Sequence, residues 1–143
     1  MLAVAFADEG NTLRRRGITL PIVVLNADTN SFAQMVADRL EPEIYSFVSL
    51  RDFVEAVRHA DSYHYPIHIK IDSGMHRLGF EERDLPQLLA ELEKQSLYVR
   101  VSSIFTHLAA ADDPSQDDFT RSQIALFDRL SSRIAASLNY RVM

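Results

Sequence analysis

Residues 68–80 read His-Ile-Lys-Ile-Asp-Ser-Gly-Met-His-Arg-Leu-Gly-Phe, and residues 105–109 read Phe-Thr-His-Leu-Ala. Each segment is an apolar strand that runs into a loop carrying polar groups. In barrel and open α/β enzymes the chemistry sits at that carboxyl end of the strands. Lys70, Arg77 and His107 are therefore the candidate site residues. Lys70 closes an apolar strand, and a buried ammonium must find a partner or lose its proton. Asp72 or another acid near the rim could pair with it, in which case its role is structural. Arg77 lies between Gly74 and Gly79, whose backbones permit a tight excursion beyond the strand. A guanidinium there is a fixed charge with a planar donor fork, suited to a carboxylate, a phosphate or a phenolate oxygen. It could equally be a surface arginine in a turn. His107 could serve as acid or base, as a metal ligand or as a stacking plate, or be a half-buried structural imidazole.

The remaining histidines carry less. His59 falls at a helix end, His64 in a loop and His76 in an exposed turn, while His68 shares a strand face with Lys70. No phosphate loop, dinucleotide fingerprint, nucleophile elbow or helical pair of metal-binding histidines occurs.

These groups need a frame, and the chain has a regular beat. Apolar, β-branched segments at 2–6, 21–25, 43–48, 66–71 and 97–105 read as strands. Segments 8–16, 31–40, 50–60, 84–95 and 115–138 read as helices, and 140–143 looks like a further strand starting. Strands with little alternation, separated by helices, imply a parallel sheet with right-handed crossovers. Helix punctuation agrees: Asp84 is placed to cap a start, Pro86 falls in a first turn, and Gly17 follows a last turn. Phe32, Met35, Val36 and Leu40 form one apolar stripe at helical spacing and read as core. The loop 110–117 reads either as an ordinary connection or as a functional loop.

A closed eight-fold barrel takes ~250 residues, and this chain has 143. It begins and stops in apparent strands, which points to part of a longer barrel; an intact five-stranded doubly wound domain is the competing architecture. The expected edges, near Leu2 and Val99, would be open to pairing with other chains. Composition narrows the class further. Apolar residues make up 47% and the net charge is −5, with no basic face for a nucleic-acid backbone. Arg14-Arg15-Arg16 suits the end of a helix. The chain has no cysteine, which excludes disulfides, thiolate nucleophiles and Cys-ligated zinc and fits the cytoplasm. No apolar run approaches the ~20 residues of a membrane span, and the first residues do not read as a signal peptide.

The run Lys70-Ile-Asp-Ser-Gly-Met-His-Arg77-Leu-Gly79, followed by Thr106-His107-Leu-Ala, resembles the pyridoxal-phosphate-dependent alanine racemases. Residues 2–5 and 21–25 resemble that family's second and third barrel strands. The resemblance covers essentially all of residues 1–143 and implies an α/β fold, a partial TIM-type (β/α) barrel comprising about strands two to six of eight. The first strand, the last strands and a carboxyl-terminal β domain would lie outside it. It also implies an isomerase interconverting L- and D-alanine for peptidoglycan synthesis, working as a cytoplasmic homodimer or larger assembly. In some bacteria such a racemase is fused to a Mur-type ligase. By position, Arg77 would donate to the pyridoxal phenolic oxygen and help hold the substrate carboxylate. Lys70 would be carbamylated and orient Arg77, His107 would lie against the cofactor, and Leu25 would form a minor apolar wall. The family's Schiff-base lysine context, its Asn-Ser phosphate segment and its catalytic tyrosine have no counterpart in these residues. The segment alone is therefore expected to be inactive and to bind pyridoxal phosphate weakly or not at all. Two other readings stand beside it: a metal- or carbamate-using barrel enzyme with His68, Lys70 and His107 as ligands, and a scaffold without chemistry.

Overall fold

The computed structural model describes all residues 1–143. Five strands form one sheet in the order of the chain, β1 (Leu2–Val4), β2 (Ile22–Val24), β3 (Glu41–Ile44), β4 (Tyr65–Lys70) and β5 (Val99–Phe105). Every neighbouring pair is parallel. Between them run α1 (Ala7–Arg15), α2 (Phe32–Ala37), α3 (Phe47–His59) and α4 (Leu85–Lys94), and α5 (Asp117–Ser137) follows β5. Sequential order without a reversal is the order of a barrel wall. A doubly wound sheet would instead change direction at a switch point.

The helices seal one face of this wall. Phe53 of α3 is fully buried and meets Phe32 of α2 and Tyr65 of β4 edge-on, with ring centroids 5.1 and 5.4 Å away. The Tyr65 hydroxyl donates to the carbonyls of Met35 and Leu40, which satisfies the one polar atom of that aromatic cluster. Arg14, expected only to suit a helix end, does more. Its guanidinium donates to the carbonyls of Ile18, Leu20, Asp38 and Arg39, tying the turns that lead into β2 and β3.

Several expected elements shift. The third strand was expected at 43–48 and lies at Glu41–Ile44. Ser46 ends it: its hydroxyl accepts the Ser49 amide at 3.1 Å and starts α3, so Phe47 and Val48 belong to a first helical turn. Asp84 does not cap α4 with its side chain; its carboxylate reaches back to the Glu81 amide and closes the short turn Glu82–Asp84. Residues 140–143 form no strand, although the backbone of Met143 exchanges hydrogen bonds with Ser102 and Ile104 of β5. The Tyr140 hydroxyl accepts the Val101 amide. The β5 edge, expected to be open, is thus partly covered by the chain's own last residues. No helix is long and apolar enough to cross a membrane.

Candidate functional site

Lys70 is the last residue of β4, and the backbone continues straight into a closed excursion. The Phe80 amide donates to the Lys70 carbonyl at 2.9 Å and the Asp72 amide to the Phe80 carbonyl at 3.0 Å, so residues 73–79 bulge out as a loop pinned at its neck. Asp72 folds that loop. One carboxylate oxygen accepts the amides of Gly74 and His76 at 2.9 and 3.0 Å. Burial pushes the Asp72 carboxyl up, but these amide donors and the nearby His76 outweigh it and hold the group below the usual carboxylate range. Gly74 and Gly79 adopt φ of +136° and +127°. The excursion carries Arg77 to an exposed position above the ends of the strands.

A second latch joins this loop to the next. The hydroxyls of Ser73 and Thr106 are 2.8 Å apart, and Thr106 donates to the Ile71 carbonyl. Gln123, fully buried on α5, grips the segment after β5 at two points. Its amide nitrogen donates to the His107 carbonyl at 3.2 Å, and its oxygen accepts the Ala109 amide at 3.0 Å. Nothing in the local sequence marks Gln123 as part of the site, because its role depends on α5 folding back across the loops. Replacing it with leucine removes the side-chain partners of the Ala109 amide and the His107 carbonyl, two part-buried hydrogen bonds. A loss of about 1–3 kcal/mol is expected, seen as a lower urea midpoint with faster amide exchange at 107–109.

The outcome of these latches is one recess at the carboxyl ends of β4 and β5. Lys70, Arg77 and His107 line it together with Ile71, Asp72, Met75, Leu78 and Thr106. Leu25 does not join them: it follows β2, is 40% exposed and is not among the lining residues.

Below the recess lies a pair that sequence reasoning left unnamed. The Lys70 ammonium sits 3.4 Å from a carboxylate oxygen of Glu43 on β3, with Glu43 only 3% and Lys70 13% exposed. The ring of Phe105 lies under the same ammonium, 4.7 Å from nitrogen to centroid. Asp72 is not its partner. Burial raises the Glu43 carboxyl, against the opposing pull of Lys70 and Arg77. One turn of the pleat lower, His68 is spanned between Ser103 at 2.6 Å and Glu41 at 2.7 Å. His68 does share the Lys70 face, as alternation requires. Both of its ring nitrogens are engaged, however, and it lies outside the recess, so it is not placed to share a metal with Lys70 and His107.

Comparison with known proteins agrees with this fold. The family model described as "Alanine racemase, N-terminal domain" matches residues 1–143. An alanine racemase of Nitratidesulfovibrio vulgaris is 39% identical over 126 residues, covering 87% of this chain and 33% of that protein. One from Geobacillus stearothermophilus is 36% identical, covering 83% and 30%. Among solved structures, the alanine racemase of Clostridium difficile 630 superposes with a TM-score of 0.84 at 31% identity, over 95% of this chain and 36% of that one. The chain spans about a third of the length of the curated relatives it matches. From these matches and the barrel wall that carries its recess, the chain belongs to the alanine racemase N-terminal domain family.

Proposed function

We propose that this chain is the part of an alanine racemase that holds one side of pyridoxal phosphate and the substrate, in an enzyme interconverting L- and D-alanine for cell-wall synthesis in the cytoplasm. The observation that carries the reading is the meeting of Lys70, Arg77 and His107 in one recess at the strand ends. The donor set fits one side of the cofactor. Arg77 offers a guanidinium fork for an oxyanion and His107 an imidazole at the rim. It does not fit the covalent anchor. The only lysines are Lys70, engaged with Glu43, and Lys94, which is 70% exposed on α4. The anchor, the phosphate cradle and the catalytic base are assigned to the rest of the full-length protein.

When bound, pyridoxal phosphate makes the amino-acid α-hydrogen acidic by delocalising carbanion charge into its ring. A guanidinium such as that of Arg77 cannot deliver a proton to the ring the way a carboxylic acid can. It therefore stabilises an oxyanion while limiting how far the charge spreads. The Asp72 and Gln123 hydrogen bonds hold the backbone of the β4 and β5 loops that carry Arg77 and His107, which limits how much ordering these groups require.

The test is turnover. The full-length protein is expected to convert L-alanine to D-alanine with exchange of the α-hydrogen, and the 143-residue chain to do neither. Adding the remaining polypeptide as a separate chain is expected to restore pyridoxal absorbance; no racemisation by the full-length protein would refute the reading. Assembly follows from the sheet. The outer edge of β1 pairs only with β2 on its inner side, and Leu2 on it is exposed. In the 143-residue chain by itself such an edge can recruit a second chain, so sedimentation of that chain is expected to give a dimer or larger species; a clean monomer at high concentration would contradict it.

A further inference from the structure

We infer that Gln123 is a positioning residue for both Arg77 and His107: it closes a hydrogen-bonded junction that makes the loop after β4 and the segment after β5 move as one. The inference deepens the site assigned above and rests on that reading in its kinetic arm alone.

The direction of the junction follows from counting hydrogens. The Thr106 hydroxyl carries a single hydrogen and gives it to the Ile71 carbonyl at 2.8 Å. In the 2.8 Å contact between Ser73 and Thr106, Ser73 is therefore the donor. That spends the Ser73 hydrogen and leaves its oxygen as an acceptor. The Gln123 amide nitrogen lies 3.5 Å from that oxygen and 3.2 Å from the His107 carbonyl, with one hydrogen for each. The Gln123 oxygen accepts the Ala109 amide at 3.0 Å. Every step runs one way: Ala109 to Gln123, Gln123 to His107 and Ser73, Ser73 to Thr106, and Thr106 to Ile71. Turning the Gln123 amide over would set its oxygen against the His107 carbonyl and its nitrogen against the Ala109 N–H. The donor count thus fixes the amide in one orientation.

The packing gives this junction its grip. Gln123 is 1% exposed and Ser73 4%, so water does not compete for their polar atoms. A buried network in which every member is satisfied holds one geometry. The Ser73–Thr106 contact ties the two loops at their roots, beside the strands. Gln123 ties them further out, at His107 and Ala109, and it does so from a helix anchored by the fully buried Leu130 and Ile134. Its carbon stem also backs the loop that carries Arg77. A Cβ placed on Gly74 would lie 3.5 Å from Gln123 Cγ and from the ring of Phe119, one helical turn earlier. Helix α5 is thereby a common support for two groups that sit on different strand ends.

Amide exchange in the full-length protein, prepared free of pyridoxal phosphate, reads the junction directly. Ser73→Ala removes its middle link, and the Ser73 side chain bonds to neither His107 nor Ala109. The variant is nonetheless expected to speed exchange of the Ala109 amide by ~10-fold, the upper size of one net hydrogen bond. Gln123→Met keeps an unbranched side chain without its amide. It is expected to speed the Gly74 and His76 amides, which bond to Asp72 and not to Gln123. Faster exchange confined to 73–79 in the first variant and to 107–109 in the second overturns the inference. Should Gln123→Met not fold, Ser73→Ala decides alone.

Racemisation with pyridoxal phosphate bound then separates positioning from stability. Alignment acts on the transition state, so each variant is expected to lose ~10-fold or more in kcat with KM little changed. A junction already broken at one link has little left to lose at another. The double variant is therefore expected to be no slower than the slower single one. Unchanged kcat, a loss that falls in KM alone, or losses that multiply in the double variant would overturn the role of Gln123 and leave the racemase assignment standing. Absence of racemisation by the unsubstituted protein removes that assignment and leaves amide exchange to decide the junction.

Discussion

Gly79→Ala is expected to cost this chain more stability than any other single methyl group could. A Cβ built on Gly79 falls 2.5 Å from the Asp72 amide nitrogen and 2.7 Å from the Ile71 carbonyl carbon. Both are backbone atoms in the neck of the β4 loop, where the Phe80 and Asp72 amides close the excursion. They cannot rotate aside as a side-chain end could. The φ of +127° adds a strain that side chains rarely tolerate. Relief requires the neck to open, which breaks its two hydrogen bonds and shifts Lys70 and Asp72. Loss of about 4 kcal/mol or more is expected, the range reserved for backbone and buried-network disruption. Urea unfolding of the variant measures it. A loss below about 1 kcal/mol, typical of an ordinary substitution, would show that Gly79 is not packed against the Ile71–Asp72 backbone. Gly74→Ala is a useful contrast. Its added Cβ would lie 3.5 Å from the side chains of Gln123 and Phe119, an ordinary contact, so only the φ of +136° resists it.

Arg77→Lys is expected to leave stability almost unchanged and to cripple turnover. Arg77 is exposed, so the fold does not depend on its fork. In the proposed site its guanidinium faces an oxyanion, and lysine keeps the charge while losing the planar pair of donors. In the full-length protein kcat is expected to fall by ~10²–10³, the range seen when one preorganised donor to a developing negative charge is removed. The urea midpoint of the chain should stay within about 0.5 kcal/mol of the parent value, as for surface positions. A variant with full activity would remove Arg77 from the chemistry. A variant that unfolds would make it a structural residue.

Much of the frame was legible in the sequence because it rests on short-range signals. β-branched segments such as Ile22–Val24, buried at every residue, and Val99–Phe105, in which only Arg100 is exposed, are strands, and the stripe of Phe32, Met35 and Val36 is core. The third strand was misplaced because Ile44, Phe47 and Val48 make one apolar stretch. Only the Ser46 cap, a contact three residues long, turns the second half of that stretch into helix. Lys70, Arg77 and His107, which line one recess, could be picked out from the sequence because glycines and strand ends announce themselves locally. Glu43 and Gln123 were invisible for the opposite reason. Glu43 becomes the partner of Lys70 only through the register of β3 against β4, and Gln123 meets His107 only when α5 folds back. Asp72, two residues from Lys70, was the natural guess from spacing. Its carboxylate is taken by the amides of its own loop. Leu25 was carried by resemblance alone, and the end of β2 leaves it outside the recess.

Pyridoxal 5′-phosphate titrated into the isotopically labelled 143-residue chain complemented with the remaining polypeptide, followed by NMR, addresses the recess itself. The first side-chain signals to shift are expected to be those of Arg77 and His107, with the Arg14 and Arg39 signals at the opposite ends of the strands unmoved. Shifts confined to that opposite end, or no response at Arg77 and His107, would contradict the placement of the cofactor side in this recess.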